Sequence, residues 1–342
     1  MSAPTGPFAA VVAMCLACLA GPLAAKEKDT VTRPFEGVRY VHRHTTTPRE
    51  IDMHIVLVDL RRPRVRVVTT GSNADPDSET DVETTRQFAE RTKAQIAING
   101  GFFAYTKEAM KKGNTDLVSL AVSDGVVVSP WGTSQFDAVN IGAKNDVTFV
   151  RRAKNDTTGS MTMPPVRLFN AISGNVRLID SGTILAKGGD PSYPQTAVGH
   201  TADRQLILFI SDGRQPGFSE GMTYEEVAHV FKEFKAFNAI AFDGGGSATL
   251  VMTDTAGKPT VLNRPSDGSE RRVGNNLGIV LGGKPSPPGR KAKPRFSPGH
   301  EPASATASRQ MAGSASPGFG DLPPAAMSAG VQRSPANGTH GL

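Results

Sequence analysis

One short segment, residues 239–246, constrains the fold of this 342-residue chain more than any other. Its first four residues, Ala-Ile-Ala-Phe, have the apolar pattern of a short buried strand. Asp243 follows at once, and the glycines Gly244, Gly245 and Gly246 let the backbone approach a ligand closely where the strand ends. Such a turn can direct several N–H groups at one anion beside a carboxylate that serves as acid or base. A plain turn capped by its Asp is the alternative interpretation.

A second segment of the same kind lies at residues 96–103. An apolar strand, Ile-Ala-Ile, is followed by Asn99, Gly100 and Gly101. The asparagine offers both a donor and an acceptor, and the glycines again free the backbone at the end of a strand. The two phenylalanines that come next can border a sugar or pack into the core.

Two more segments supply cations. Asp212 and Arg214 lie in a Gly/Pro-rich loop that leads into a predicted helix, and Arg271 and Arg272 precede the last apolar run. A guanidinium is a planar donor that suits phosphate or carboxylate. We expect one guanidinium of the second pair to face the site and the other to face solvent.

The ends of the chain are expected to lie outside the folded domain. Residues 1–25 contain an apolar run that ends at small residues, which is typical of a signal peptide, and both cysteines, Cys15 and Cys18, fall within it. Residues 283–342 hold 10 of the 25 prolines and few aliphatic residues, a composition that favours disorder. We therefore expect a linker at residues 26–45 and a single catalytic domain at residues 46–282.

Charge and targeting narrow the expected partners. The formal net charge is +6, but residues 283–342 alone hold seven basic and two acidic residues, so the domain is nearly neutral. A nearly neutral domain lacks the basic surface that binds nucleic acid. The signal peptide predicts a secreted or periplasmic protein without a stable membrane span after processing. Removal of that segment would also remove both thiols, which excludes disulfides and Cys ligands.

The pattern of apolar residues predicts many strands and few helices. Hairpins are predicted at residues 53–68 and 197–210, where turn residues separate two apolar runs. Helices are predicted at residues 83–92, with Asp81 as the N-cap, and at residues 223–234. We expect an α+β fold with a largely antiparallel or mixed sheet and a few packed helices.

Together these segments resemble the phosphodiester glycosidase family. The resemblance covers about residues 50–282, and the motifs follow the family's order. They are residues 99–103 (Asn-Gly-Gly-Phe-Phe), 196–200 (Thr-Ala-Val-Gly-His), 212–214 with the helix that bears Glu226, 243–249 (Asp-Gly-Gly-Gly-Ser-Ala-Thr) and 272–276 (Arg-Val-Gly-Asn-Asn). The family commonly has Arg where Gln195 stands, so either another guanidinium holds the phosphate here or the substrate differs.

The resemblance implies a hydrolase that cleaves the glycosidic bond of a sugar-1-phosphodiester resembling that of N-acetylglucosamine, with phosphorylated envelope or extracellular polysaccharide as one class of substrate. Asp243 is expected to be the base or nucleophile, and Glu226 or Asp212 the second carboxylate. The alternative interpretation of Glu226 is that it caps a backbone group at the start of its helix. The expected substrate-binding residues are Asn99, Gly100, Gly101, Thr196, His200, Arg214, Gly244, Gly245, Gly246, Ser247, Thr249 and Arg272.

Two other functions stay open from the sequence. A non-catalytic carbohydrate- or phosphate-binding envelope module would use the same loops without needing Asp243, and a phosphodiesterase would release a sugar phosphate instead of a free sugar. No cofactor is expected, because the histidines other than His200 show no paired metal-ligand spacing. A divalent cation bound by Asp and carbonyl oxygens needs no short motif and stays open.

Overall fold

The computed structural model describes residues 29–133 and 136–282. The predicted signal peptide and the predicted disordered tail lie outside the described residues. The strands are β1 (Thr30–Thr32), β2 (Val38–Thr45), β3 (Ile51–Asp59), β4 (Val65–Thr69), β5 (Thr80–Asp81), β6 (Ile96–Asn99), β7 (Asn114–Thr115), β8 (Ala121–Ser123), β9 (Val126–Ser129), β10 (Asp137–Ile141), β11 (Val147–Arg152), β12 (Thr162–Met163), β13 (Asn170–Gly174), β14 (Val176–Asp180), β15 (Thr183–Ile184), β16 (Gln195–Thr201), β17 (Gln205–Ser211), β18 (Ala236–Ala241), β19 (Leu250–Thr253), β20 (Pro259–Val261) and β21 (Asn276–Leu281). The α-helices are α1 (Thr85–Thr92), α2 (Lys107–Lys112) and α3 (Tyr224–Glu233), and a 3-10 turn spans Gly245–Ser247.

The predicted α+β class is wrong, because the fold is mostly β. Strand residues make up 42% of the described chain and helical residues 11%. The three α-helices are short and do not form a layer of their own; the sheets cover one another instead. The expectation of antiparallel pairing fits, since every strand pair described in these ranges is antiparallel.

Three larger sheets make up the fold. Their strand orders are β1-β2-β3-β17-β16-β18-β14-β15, β12-β11-β10-β13-β8-β9 and β20-β19-β6-β21-β4, and β5 pairs with β7. One core is shared by all three sheets: Leu208 and Ile240 from the eight-stranded sheet, Ile98 from the five-stranded sheet and Ile172 from the six-stranded sheet belong to it. The other face of the eight-stranded sheet is covered by α3, through residues such as Val227. The eight-stranded sheet is therefore buried on both faces near its centre.

Two predictions about the first third of the chain are wrong. β3 and β4 do not form a hairpin: β3 pairs with β2 and β17, whereas β4 pairs with β21 in another sheet. Residues 29–45 are not a linker, because β1 and β2 lie within that range and extend the eight-stranded sheet. The apolar content of β2 is low, so sequence periodicity did not indicate that β3 needs it as a neighbour.

The predicted hairpin at residues 197–210 is confirmed by the pairing of β16 with β17. Helices α1 and α3 are confirmed as well, but Thr84 and not Asp81 is the N-cap of α1. Thr84 accepts a hydrogen bond from Gln87 N–H and the Gln87 side chain accepts one from Thr84 N–H, which is a capping box. In the described ranges, no helix is both long enough and apolar enough to cross a lipid bilayer.

Candidate active site

Asp243 lies where three segments of chain converge. β18 ends two residues before it, and the Phe242 N–H donates to the carbonyl of Thr196 at 2.8 Å. The Asp243 N–H donates to the carbonyl of Gly100 at 3.1 Å. The loop after β6 and the start of β16 are thus hydrogen-bonded to the end of β18, so the sequence motifs at residues 99–103, 196–200 and 243–249 meet in space.

The Asn99 side chain holds this junction together from inside the core. Its Nδ2 donates to the Asp243 carbonyl at 2.6 Å, and its Oδ1 accepts from the Thr196 hydroxyl at 2.9 Å and from the Thr249 N–H at 3.1 Å. Asn99, Thr196 and Thr249 are fully buried. All three were expected to bind substrate, but these contacts make Asn99 and Thr196 a support for the backbone of the glycine turn.

Close packing explains the glycines. A Cβ on Gly100 would lie 1.8 Å from Asn275 Oδ1, and one on Gly244 would lie 2.4 Å from the Pro194 carbonyl oxygen. Gly245 has φ +59°, a left-handed conformation, and its N–H donates to the Pro194 carbonyl at 2.8 Å. Ser247 N–H is also engaged, with the Gly244 carbonyl at 3.2 Å. Neither of these two amides is available to a ligand.

The second glycine of the 100–101 pair is restricted as well, since a Cβ on Gly101 would lie 2.3 Å from the Ser173 carbonyl oxygen. This contact ties the turn to β13 of the six-stranded sheet. The glycines at 100 and 101 therefore let all three sheets approach the same point.

Two guanidiniums from distant loops flank the turn. A Cβ on Gly245 would lie 3.1 Å from Arg214 Nη1, and one on Gly246 would lie 2.1 Å from Arg271 Nη2. The Arg214 guanidinium forms no hydrogen bond or ion pair with any residue that the structure describes. Arg271 is held by Asp267 at 2.6 Å and reaches the Ser247 hydroxyl at 3.4 Å. The site thus combines an exposed, unpaired cation with an oriented one.

The environment of Asp243 changes its acidity. Burial raises the pKa of Asp243 to about 6, against the lowering effect of a hydrogen bond with Ser247 and of the charges on Arg271 and Arg214. The cost of desolvating the charged carboxylate outweighs these stabilising contacts. A carboxyl with a raised pKa and cations beside it is typical of sites where a group acts as acid or base.

Arg272 is not part of this cluster. Its guanidinium donates to the Met110 carbonyl on the surface, whereas its neighbour Arg271 contacts Ser247. The expectation that one of the two faces the site fits the structure, but the choice of Arg272 is wrong. Backbone alternation decides which neighbour points inward, and Val273 forms a bridge with Glu83 that fixes the strand direction there.

The contacts of Glu226 are those of a helix cap. Its carboxylate accepts hydrogen bonds from the Thr223 N–H at 2.8 Å and from Arg49 Nη2 at 2.5 Å. Although burial opposes the effect, the hydrogen bond from Arg49 holds the pKa of Glu226 below its ordinary value. None of the contacts described for this side chain involves Asp243 or the glycine turn.

Asp212 is buried, and its carboxylate is hydrogen-bonded to Asn263 and to the backbone of Arg264. Its carboxylate accepts from the Arg264 N–H at 2.9 Å and from Asn263 Nδ2 at 3.0 Å. Asn263 in turn accepts from the Leu250 N–H at 2.8 Å and donates to the Ala248 carbonyl at 3.0 Å. Burial raises the pKa of Asp212. Through these bonds Asp212 supports the chain that follows the glycine turn.

His200 and Gln195 lie at different ends of β16. His200 pairs with Asn238 in the strand register, three residues along from the Ala197–Ala241 pair, which is roughly 10 Å further from Asp243. Its ring bonds Asn238 and the Thr201 carbonyl, and burial lowers the pKa of His200. Gln195 is buried and donates to the Met222 carbonyl at 2.9 Å. The cations of the site are thus Arg214 and Arg271.

Sequence analysis missed two tyrosines beside the turn. The Tyr193 ring would lie 3.2 Å from a Cβ on Gly244. Its hydroxyl donates to the Tyr224 hydroxyl, which also accepts from Asn175 Nδ2 at 2.8 Å. Burial raises the pKa of Tyr224, and the charge of Asp243 adds to the effect. No periodicity marks Tyr193; the position of Tyr224 at the first turn of a helix after the Arg214 loop was the only available signal.

The fold and the site together define a class: a mostly-β protein with a half-buried carboxyl of raised pKa and two guanidiniums around a glycine turn. The family model described as phosphodiester glycosidase matches residues 92–280. The chain belongs to the phosphodiester glycosidase family.

Curated relatives agree with this assignment. The chain is 31% identical over 196 residues to the N-acetylglucosamine-1-phosphodiester alpha-N-acetylglucosaminidase of Mus musculus and 28% identical over 202 residues to that of Homo sapiens. The matches cover 51% and 54% of this chain but only 34% and 36% of the relatives. The chain therefore matches about a third of the length of these relatives.

Solved structures show the same fold. The zebrafish N-acetylglucosamine-1-phosphodiester alpha-N-acetylglucosaminidase catalytic domain, described as auto-inhibited by its pro-peptide, superposes with a TM-score of 0.55 at 24% identity and covers 75% of this chain and 88% of that chain. A hypothetical protein from Synechocystis superposes with a TM-score of 0.58 at 15% identity, and the match covers 74% of this chain and 64% of that chain.

Proposed function

We propose that this protein hydrolyses the glycosidic bond of a sugar-1-phosphodiester, with Asp243 acting in its ionised form as base or nucleophile. The observation that carries the proposal is that the charges of Arg214 and Arg271 both act on Asp243, whose pKa is raised by burial to about 6, while the two guanidiniums lie against Gly245 and Gly246 of the adjoining turn. Near neutral pH such a carboxyl is mostly ionised yet remains a better base than an exposed aspartate.

The negative charge that develops on the phosphate during the reaction can be stabilised by the two arginines. The phosphodiester carries one negative charge, and cleavage of the bond between the anomeric carbon and oxygen leaves a phosphomonoester that carries up to two. A second cation close to the first therefore stabilises the transition state more than the ground state. Arg214 is unpaired and exposed, so it is the cation we assign to initial binding; Arg271, oriented by Asp267, is assigned to the developing charge.

The carboxylate of Asp243 serves the other half of the reaction. As the glycosidic bond breaks, positive charge develops on the anomeric carbon, and an ionised carboxylate stabilises it directly or by activating water. A phosphomonoester is a good leaving group, so a strong general acid is a lesser requirement here. We accordingly assign Glu226 and Asp212 to support, because their carboxylates are occupied by Arg49 with Thr223 and by Asn263 with Arg264.

The substrate class is proposed from the relatives. Those enzymes are named for N-acetylglucosamine-1-phosphodiesters, and we propose a similar sugar for this protein, presented on a phosphorylated envelope or extracellular polysaccharide. The predicted signal peptide supports a secreted or periplasmic site of action. The tyrosine pair Tyr193 and Tyr224 would border the sugar beside Asp243.

The test is hydrolysis of a methyl or aryl N-acetylglucosamine-1-phosphodiester in water enriched in oxygen-18. We expect free sugar with the label on the sugar and none on the phosphate. Label on the phosphate would mean that a bond to phosphorus broke, and release of sugar 1-phosphate would identify a phosphodiesterase; either result overturns the proposal. Saturable binding without turnover would identify the non-catalytic module instead.

The variant Asp243→Asn provides the residue-specific arm of the test. It should fold and bind substrate but lose turnover by a large factor, as removal of a catalytic group does. Asp77→Asn, a change at an exposed aspartate, is the matched control and should keep wild-type turnover. Normal turnover by the Asp243→Asn protein would refute the assignment.

A further inference from the structure

Three histidines and an aspartate face one another on the inner face of the β2–β3 pair. Strand register places His42 directly opposite His54, and His44 directly opposite Asp52. His42 and His44 are two residues apart on β2, as are Asp52 and His54 on β3, so all four side chains lie on one face of the sheet. The group is outside the cluster formed by Asp243, Arg214 and Arg271.

The nitrogen and oxygen atoms of this group converge. Asp52 has carboxylate oxygens 2.9 Å from His42 Nε2, 3.1 Å from His54 Nε2 and 3.3 Å from His44 Nδ1. The candidate ligand atoms of His42, Asp52 and His54 all lie within 4.8 Å of one another. Two ligands about 2.1 Å from a tetrahedral ion are roughly 3.4 Å apart. The His54–Asp52 spacing is close to this value, whereas the His42–Asp52 spacing is that of a direct hydrogen bond, which an ion would replace.

His54 has a ring nitrogen that lacks a hydrogen bond. Its side chain is only 4% exposed, and Nε2 is a buried atom without a hydrogen-bond partner although Asp52 lies close by. The other ring nitrogen, Nδ1, is 2.7 Å from the Tyr40 hydroxyl. An imidazole whose Nδ1–H donates to an outer oxygen presents its Nε2 lone pair in the opposite direction, which is the usual arrangement of a metal-bound histidine.

The two carboxylates near His54 have no Lys or Arg partner among the residues that the structure describes. Asp52 and Asp212 are both buried, and Asp212 Oδ2 lies 3.9 Å from His54 Nε2. In the described ranges, neither carboxylate forms an ion pair with a Lys or Arg side chain; their ion-pair partners are imidazoles. Buried carboxylates are stable when they are paired or bind metal.

We propose that His42, Asp52 and His54 form a binding site for a divalent transition-metal ion of the Zn²⁺ class. Imidazole nitrogens with one carboxylate select Zn²⁺ or a similar ion, whereas Ca²⁺ and Mg²⁺ need an all-oxygen shell.

An ion at this position would fix the base of the loop that carries Arg214. The Asp52 N–H donates to the Ser219 hydroxyl at 3.0 Å, and the Asp52 carbonyl accepts from the Asp212 N–H at 3.0 Å. Both partners belong to residues 212–222, the loop that carries Arg214. The ion is thus a structural element of that loop, and its binding does not depend on the proposed hydrolysis.

The test is metal binding by the protein without a histidine tag. After dialysis against a chelator, Zn²⁺ is titrated in competition with a chromophoric chelator, and bound metal is counted by mass spectrometry. We expect one Zn²⁺ per chain, and loss of His42 or His54 should weaken binding by about 100-fold or more, since loss of a mere outer-shell partner costs roughly 10- to 100-fold. Tyr40→Phe should fall in that outer-shell range.

Controls separate this result from unfolding and from adventitious binding. His42→Ala removes a side chain that is 38% exposed, so this variant should fold even if His54→Ala does not, with circular dichroism as the check. His229→Ala removes an exposed histidine of α3 and should bind Zn²⁺ as the wild type does. Substoichiometric binding by the wild type, or equal affinity in the His42→Ala and His229→Ala proteins, would overturn the proposal.

Discussion

Replacement of Asp243 by Asn should stabilise the folded protein at neutral pH while it removes the carboxylate. Burial raises the pKa of Asp243 from 3.8 to about 6, and each unit corresponds to about 1.4 kcal/mol, so the ionised carboxyl costs the folded state up to about 3 kcal/mol. The folded state binds the proton more tightly than the unfolded state. The wild-type free energy of unfolding therefore falls as the pH rises from about 4 to about 6 and then stays level, as far as this group is concerned.

The Asn variant has no carboxyl to titrate at position 243. The difference in unfolding free energy between the variant and the wild type therefore changes with pH. We expect almost equal stability at about pH 4 and a gain of up to about 3 kcal/mol for the variant at about pH 7.5. In a thermal melt this gain corresponds to roughly 6–12 °C for a domain of this size. Urea denaturation at a series of pH values measures the difference directly.

Asp77→Asn serves as the control, because Asp77 is exposed and should show no such pH-dependent gain. A variant at position 243 that is less stable than the wild type at about pH 7.5, or a difference that is constant from about pH 4 to 7.5, would refute the reasoning. The first outcome would mean that the charges on Arg214 and Arg271 stabilise the carboxylate more than burial destabilises it.

Three further predictions concern the same site. The pH profile of kcat/KM should have an acidic limb with an apparent pKa of about 6, because Asp243 acts in its ionised form; a flat profile in that range would contradict this role. Arg271→Ala should lower kcat/KM by about 10- to 150-fold, from the loss of about 1.5–3 kcal/mol of charged hydrogen bonding, whereas Arg272→Ala should leave steady-state kinetics unchanged. Glu226→Ala should lower stability by about 1 kcal/mol and keep turnover, because it removes the acceptor for the Thr223 N–H and the partner of Arg49. Glu225→Ala is the matched control in thermal melts and assays, and a large loss of turnover in the Glu226→Ala protein would restore Glu226 as a catalytic candidate.

Local features of the fold were predictable from the sequence. The apolar run before Asp243 forms β18, and the alternating pattern of residues 197–210 forms the β16–β17 hairpin. Amphipathic spacing located α3, because one face of that helix packs on the eight-stranded sheet. Such features depend on neighbours along the chain, which periodicity records.

Pairing between distant segments was not predictable in this way. β4 has the composition of a hairpin partner for β3, yet it pairs with β21, more than 200 residues away in sequence. The fold class was missed for the same reason: three sheets bury one another, so the few helices contribute little to the core. Strand patterns alone do not say which sheet a strand joins.

The sequence by itself determined that a carboxylate ends an apolar strand beside three glycines, and that arginines lie in nearby loops. Only the tertiary structure decided that Arg271 and not Arg272 reaches the turn, that Asn99 supports the backbone, and that His42 faces His54 across two strands. The physical reason is that acidity, ion pairing and metal ligation depend on distances of a few ångströms, and those distances are fixed by contacts between residues far apart in the chain.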